Sequence, residues 1–334
     1  MKAIVLRELG GPRQLSLEEL PEPEPAEGEV VVRLAAAALN RRDLFITHGL
    51  YPGIVLPNVL GSDGTGAVIR SGEGADGAPA GDVVILPSLG WGDDPRAPLP
   101  SFTILGVPKH GTFAEQIAVP AENVFPKPAH LTVNEAAALP LGGVTAYRAL
   151  VTKGGLRAGE RVLVPGIGGG VATMCVQFAA ALGAEVWVTS GRAEKVERAK
   201  ELGAAGGLVT GSDDYPAQLK SLTGSFDLVV DSIGGALFKD LVRLARQGGR
   251  IVSFGATAGP VPELVLPTVF LKHVDILGTA MGDANDFRGL LDLVERHQLR
   301  PVVAATFPLE RTVEALELME SGAAMGKIVI EIAA

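Results

Sequence analysis

The segment Val162-Leu163-Val164-Pro165-Gly166-Ile167-Gly168-Gly169-Gly170-Val171-Ala172 limits the fold more than any other stretch of this chain. Its apolar start reads as a buried strand, its glycines as a tight turn, and Val171–Leu182 as a helix. The turn needs glycine because the chain reverses sharply and a diphosphate must reach main-chain N–H groups with no Cβ in the way. The helix N-terminus then offers unpaired donors and the positive end of its dipole. Gly166 and Gly168 fill the first two places of a G-x-G-x-x-G fingerprint and Val171 takes the third, so the match is incomplete. The expected ligand is a dinucleotide held by Gly166, Gly168, Gly169, Gly170 and Val171. A glycine-rich loop without a ligand is the alternative.

The next strand decides which dinucleotide. It is expected over Glu185–Thr189 and runs into Ser190-Gly191-Arg192. A carboxylate at that end would accept from the ribose hydroxyls and repel a 2′-phosphate, but no acid occurs before Glu194. Ser190 is small, Arg192 can fork onto a phosphate, and Lys195 lies a helical turn further on. These residues predict NADPH; the alternative is that Arg192 and Lys195 are solvated charges in the first turn of a helix.

Strands and helices alternate from there: helix Ala193–Leu202, strand Phe226–Asp231, helix Ala236–Ala245, then strands Gly249–Phe254 and Asp275–Gly278. That alternation predicts parallel βαβ units. Short helices are expected over Asn134–Leu139 and Thr145–Val151. Earlier residues read differently, with apolar runs at Glu29–Leu34, Gly66–Ile69, Asp82–Leu86 and Phe113–Val119 separated by Pro, Gly and Asp. The tail predicts helix Phe287–His297, strand Val302–Phe307, helix Leu309–Ser321 and strand Lys327–Ile332, folding back onto the first part. The expected organisation is a β-rich domain of residues 1–131 and 281–334, interrupted by an α/β nucleotide domain of residues 132–280.

Composition removes several functions. The 29 basic and 38 acidic side chains give a net charge of −9, which disfavours nucleic acid and anionic membranes as partners. Cys175 is the sole cysteine, which excludes an intramolecular disulfide and any zinc site built on two thiolates; it is expected as a small buried hydrophobe. No apolar run approaches the roughly 18–20 residues of a membrane span, and the start reaches a charge too early for a signal peptide. A cytoplasmic protein is expected.

Several segments now combine. They are Leu39-Asn40-Arg41-Arg42-Asp43-Leu44, Gly49-Leu50-Tyr51-Pro52, Leu60-Gly61-Ser62-Asp63-Gly64-Thr65-Gly66, Gly81-Asp82-Val83-Val84, Gly111-Thr112-Phe113-Ala114-Glu115, Leu141-Gly142-Gly143-Val144-Thr145-Ala146-Tyr147 and Gly326-Lys327-Ile328-Val329. In this order, with the glycine turn, they resemble the medium-chain dehydrogenase/reductase superfamily over essentially the whole chain. The resemblance implies an α/β fold with a GroES-like catalytic domain, a Rossmann domain with a doubly wound parallel sheet, and a cleft between them. It also implies a homodimer joined through the strand near Asp275–Gly278.

Zinc-dependent members place a cysteine three residues before the aspartate motif, where this chain has Asn40 before Asp43. Their Gly-His-Glu reads Gly61-Ser62-Asp63 here, and their third ligand position, four before the threonine, is Leu141. Amide, hydroxyl and aliphatic groups do not build a tetrahedral zinc site. The lobe that holds a second zinc in such enzymes, Leu89–Gly106, contains no cysteine. No metal is expected.

For a zinc-free member the resemblance implies hydride transfer from NADPH to a quinone or an α,β-unsaturated carbonyl. Tyr51 would line the substrate pocket, where a phenol can give a hydrogen bond or proton to a developing oxyanion; a loop aromatic packed under Pro52 is its alternative. Asn40 would lie near the nicotinamide or the carbonyl. Thr145, Asp231, Gly255 and Lys327 follow from family positions as cofactor contacts, with a plain turn as the alternative for Lys327. The roles of Asp63 and His48 stay open. Two other functions remain: a metal-free NADP-linked alcohol or aldehyde oxidoreductase, and a non-catalytic NADPH-binding sensor or RNA-binding protein.

Overall fold

The computed structural model describes residues 1–75, 77–211 and 214–332. They divide into two compact units, Met1–Gly142 with Asp283–Ala334, and Gly143–Gly282.

The chain opens with β1 (Lys2–Leu6), β2 (Leu15–Glu19) and β3 (Glu29–Ala38), followed by helix α1 (Arg41–Thr47). Strands β4 (Asn58–Val59), β5 (Asp63–Ser71), β6 (Asp82–Ile85), β7 (Ser88–Leu89), β8 (Thr103–Ile104), β9 (Gln116–Pro120) and β10 (Val124–Pro126) come next, then α2 (Val133–Ala138) and α3 (Pro140–Tyr147). The middle of the chain forms β11 (Arg161–Val164), α4 (Gly170–Ala181), β12 (Glu185–Ser190), α5 (Ala193–Glu201), β13 (Gly206–Val209), α6 (Tyr215–Thr223) and β14 (Phe226–Asp231). It continues with α7 (Phe238–Leu244), β15 (Ala245–Ser253), α8 (Leu266–Leu271) and β16 (Asp275–Gly278). The tail forms α9 (Ala284–His297), β17 (Val303–Pro308), α10 (Thr312–Glu320) and β18 (Lys327–Glu331).

In the first unit β3 is the central strand. Val30, Val31, Val32 and Leu34 are wholly buried, as a strand covered on both faces requires. The main sheet runs β10-β6-β5-β3-β18-β17, with β9 also on β3, while β1 joins β2 and β4 in a smaller sheet. Ala36 and Ala38 of β3 pack on Ala137 and Ala138 of α2; methyl side chains let helix and strand approach closely. α2 therefore goes with the first unit, whereas the sequence reading gave residues from 132 onward to the second. At Gly66 a side chain would lie 1.9 Å from the Arg33 carbonyl oxygen. It stands beside the β3–β5 register shift between Leu34 and Ala36, a bulge that glycine alone admits. The tail returns as expected, Val329 and Ile330 of β18 pairing antiparallel with Ala38 and Ala37.

The second unit holds one parallel sheet in the order β13-β12-β11-β14-β15-β16. Val162, Leu163, Val186, Val188, Leu228, Val229, Ile251 and Val252 are wholly buried, giving the unbroken apolar runs of a sheet covered on both faces. Ion pairs gather at the N-terminal ends of the strands: Arg250–Glu160 at 2.6 Å and Arg161–Glu185 at 3.1 Å. The C-terminal ends carry the glycine turn and the loops after β14 and β15. In this strand order the crevice for a ligand lies at those ends, where the chain path reverses beside β11. Among the described residues, no helix is long and apolar enough to cross a membrane.

Candidate functional site

The strand–turn–helix expected around the glycines is present. β11 stops at Val164 and α4 starts at Gly170, with Gly169 as its N-cap. Gly166 has φ +66°, and a side chain there would stand 2.4 Å from Ile233, so both conformation and space demand glycine. The Ile167 N–H donates to the Thr189 carbonyl at 2.8 Å, which ties the turn to the end of β12. Gly169 is exposed, and Gly170 and Val171 are half-buried in the first turn of α4. The Lys195 ammonium lies 3.0 Å from where a side chain on Gly168 would begin, so a cation rests against the turn. Ser190 is buried, its hydroxyl accepting the Arg192 N–H at 3.2 Å. Arg192 precedes α5 with its side chain 49% exposed, 4.0 Å from Glu194. A helix N-terminus, two cations and a glycine-rich turn make a cradle that fits a dinucleotide's phosphates.

Two further predicted contacts lie at the same sheet edge. Asp231 ends β14 fully buried, its carboxylate accepting N–H groups of Ile233 at 2.9 Å and Gly234 at 3.2 Å. Burial raises its carboxyl above the usual aspartate range, while those N–H groups pull the other way. Asp231 therefore shapes its own loop and does not present a free carboxylate. A side chain on Gly255 would meet the Ser232 carbonyl at 3.0 Å, so the loops after β14 and β15 touch there. Thr145, expected to open a helix, sits inside α3 and is 5% exposed.

The first unit holds a buried polar cluster that the sequence did not assemble. β3 lies between β5 and β18, so Asp63 at the start of β5, Lys327 at the start of β18 and Asn40 just past β3 converge. Asp63 Oδ2 accepts Lys327 Nζ at 2.7 Å and Asn40 Nδ2 at 2.9 Å. Its Oδ1 accepts the Leu141 N–H at 2.6 Å, and Lys327 Nζ also donates to Asn40 Oδ1 at 2.7 Å. The Lys327 and Asp63 side chains are 4% and 0% exposed. Taking two charges out of water is costly, and close pairing with further hydrogen bonds offsets it. Lys327, expected as a cofactor contact or a plain turn residue, thus has its charge matched by Asp63.

Arg42 extends the cluster. Its Nη1 donates to the Leu105 carbonyl at 2.7 Å and to the Ser62 hydroxyl, and its guanidinium lies 4.8 Å from the centre of the Tyr51 ring. Asp43 is fully buried; one oxygen accepts the Asn40 N–H at 2.8 Å and the other has no partner. Burial pushes its carboxyl up to about 6, against the opposing pull of Arg42, the Asn40 N–H and Lys327. His48 lies outside this cluster, 3.0 Å from Glu320 in an exposed pair. Cys175 is wholly buried in α4, and burial raises its thiol.

The residues at the zinc-ligand positions do not fit a metal. Asn40 faces the Lys327 ammonium, Ser62 donates to the Leu105 carbonyl at 2.8 Å, and Leu141 supplies an aliphatic side chain. A second cation beside a buried ammonium would be repelled. Among the described residues there is no group of three His, Cys, Asp or Glu able to hold a metal ion. In the lobe near Leu89–Gly106, Trp91 meets Phe102 edge-on with ring centres 5.2 Å apart, where zinc enzymes use thiolates.

A family model described as alcohol dehydrogenase GroES-like domain matches residues 26–129, and one described as zinc-binding dehydrogenase matches 170–296. The chain is 38% identical to the zinc-type alcohol dehydrogenase-like protein YogA of Leptosphaeria maculans, over 95% of this chain and 94% of that protein. It is 31% identical to an acryloyl-coenzyme A reductase of Sulfurisphaera tokodaii, over 99% and 100%. Among solved structures, an NAD-dependent alcohol dehydrogenase superposes with a TM-score of 0.94 at 40% identity, covering 100% of both chains. The quinone oxidoreductase of Thermus thermophilus, studied with NADPH, gives 0.80 at 31% identity, over 99% of this chain and 100% of that one.

The Asp43 shift has a consequence for stability. The folded chain binds this proton more tightly than the unfolded chain, so the associated stabilisation is complete below about pH 4 and is lost as pH rises through about 6. Asp43→Asn removes that dependence. Melting temperatures across pH 4–7 should show the variant gaining on the unaltered chain as pH rises; a constant difference contradicts the assignment.

Proposed function

The chain belongs to the medium-chain dehydrogenase/reductase superfamily of oxidoreductases, with a GroES-like and a Rossmann domain, and from that premise we propose an NADPH-dependent, metal-independent reductase of quinones or α,β-unsaturated carbonyls. The observation that carries this reading is the replacement of the metal ligands by Asn40, Ser62 and Leu141 around the Lys327–Asp63 pair. Alcohol oxidation leans on a Lewis acid to hold the alkoxide, whereas reduction of a conjugated acceptor needs a hydride donor and a proton source. The names of two relatives, acryloyl-coenzyme A reductase and quinone oxidoreductase, agree with such acceptors.

Bound NADPH supplies the hydride; the chain supplies the cradle and the proton. The choice of NADPH over NADH rests on the end of β12, where Ser190, Gly191 and Arg192 stand in place of a carboxylate, and on Lys195 against the turn. Gly166, Gly168, Gly169, Gly170 and Val171 hold the diphosphate, and Thr145, Gly255 and the loop that Asp231 shapes complete the cofactor's surroundings. Tyr51 is the proton donor to the oxygen on which charge accumulates. Asn40 keeps one Nδ2 proton beyond its bond to Asp63, and that is the donor this reading gives to the substrate carbonyl.

We also propose that the active form is a homodimer. β16 is an edge strand of the parallel sheet, and the helix before it leaves Leu266, Phe270 and Leu271 60–69% exposed. An uncovered edge beside exposed apolar side chains suits a second copy of the same strand.

Turnover with enones and quinones, and little with simple alcohols, tests the reading; activity confined to alcohols overturns it. NADPH should bind about tenfold or more tighter than NADH, and Arg192→Asp should narrow or reverse that preference in fluorescence titrations. Tyr51→Phe should lower turnover on an enone by about 100-fold or more with NADPH affinity intact; undiminished turnover removes Tyr51 from the mechanism. Light scattering should give twice the 34.5 kDa chain mass, and the double change Phe270→Asp with Leu271→Asp should give the monomer.

A further inference from the structure

Arg42 has donors that its hydrogen bonds leave unmatched. The residue is 8% exposed. Nη1 is bonded to Leu105 and Ser62, but Nε and Nη2 are enclosed without a hydrogen-bonding partner. Enclosed guanidinium donors are costly when nothing accepts from them. An electron-rich surface beside the guanidinium is the Tyr51 ring, whose centre is 4.8 Å from the guanidinium carbon, within the range of a cation–π contact. The bonds to Leu105 and Ser62 go to a carbonyl and a hydroxyl, and the buried Asp43 carboxyl, which feels the Arg42 charge, is hydrogen-bonded to Asn40 and not to the guanidinium.

The two partners differ in how they are held. Arg42 is the second residue of α1, whose start is fixed by the Asp43 carboxylate on the Asn40 N–H, and its Nη1 is anchored on Leu105. Tyr51 lies in a turn between Gly49 and Gly53, both at positive φ, +73° and +72°. The ring is half-buried against the first unit's core. The fixed cation therefore sets the place of a phenol carried on a turn.

We propose that Arg42 is the positioning residue for Tyr51, holding its ring and stabilising through the ring face the phenolate left when the proton is given. This rests on the reading of Tyr51 as proton donor. In the step, a hydride whose C–H bond to NADPH breaks, leaving NADP⁺, adds with its electron pair to the β-carbon, and the C=C pair moves onto the carbonyl oxygen to give an enolate. The Tyr51 O–H bond then breaks, its proton bonds to the enolate oxygen, and water reprotonates the phenolate, leaving hydroxide to the solvent. Phenolate carries more negative charge on its ring than phenol, so a cation over the face favours the charged form, and exclusion of water strengthens the effect.

A double-mutant cycle with Tyr51→Phe tests this, using an enone and saturating NADPH. Arg42→Gln should lower kcat by about 10- to 30-fold, the factor that a desolvated cation–π contact represents, with KM and NADPH affinity little changed. Arg42→Lys, which keeps the charge, should recover part of the loss. In the Tyr51→Phe background, Arg42→Gln should change kcat by less than about twofold. Equal losses in both backgrounds, or no loss in either, overturn the proposal. If Arg42→Gln does not fold, Arg42→Lys runs the same cycle, with an intermediate loss expected beside Tyr51 and none beside Phe. A fully active Tyr51→Phe overturns the proton-donor reading itself; a slow Tyr51→Phe with additive Arg42 effects overturns the positioning role alone.

Discussion

The ion pair between Lys327 and Asp63 joins the beginnings of two strands that lie on either side of β3, and Asn40 closes the triangle with an amide. Each member would be destabilising alone in so enclosed a place. Together they satisfy one another, and the Leu141 N–H takes the remaining carboxylate oxygen. The pairing brings residues 40, 63, 141 and 327 to one point; Ser62 adjoins Asp63 in the chain and is bonded to Arg42, whose guanidinium meets the Tyr51 ring. Remove the ammonium and a buried carboxylate is left with two neutral donors, which favours neither the ladder nor the helix start. The C-terminal tail is thereby an electrostatic part of the first unit as well as a strand in its sheet.

The second unit sorts its chemistry by sheet edge. Charged side chains lock the N-terminal ends of the parallel strands, where Arg161, Glu185, Glu160 and Arg250 pair. The other edge is left to glycine, small hydroxyls and main-chain N–H groups, with Arg192 and Lys195 as its cations. A parallel sheet enforces this separation because every strand ends on the same side. Asp231 illustrates the logic of that edge: an acid that could have faced a ribose instead turns its oxygens onto Ile233 and Gly234, and the loop it shapes touches Gly255 through Ser232.

Much of the cradle was legible in the residues alone, because its signals are local. Gly166 to Gly170 announce a turn, and the apolar run ahead and the helix behind announce the strand and the donors. Arg192 and Lys195 follow on at short range. Some elements escaped. β13 is the Gly-Gly-Leu-Val edge strand, and the space over Gly206 is filled by the Trp187 ring, 2.6 Å from where a side chain would start; no periodicity marks a strand whose packing comes from its neighbour. α1 and α8 are shorter than two helical turns, too brief for an amphipathic pattern to develop.

By itself, the sequence determined the two kinds of domain, the alternation of the parallel sheet, the glycine turn with its cations, and the residue types at the metal positions. All of these depend on contacts between near neighbours or on the chemistry of single side chains. Tertiary structure alone decided that Lys327 belongs to Asp63 and Asn40, that Arg42 lies beneath Tyr51, and that Asp43 is enclosed far enough for its carboxyl to titrate near 6. Pairing across 264 residues is set by strand register, and the protonation of a buried acid by how much water the fold removes; neither quantity is written in the order of the residues.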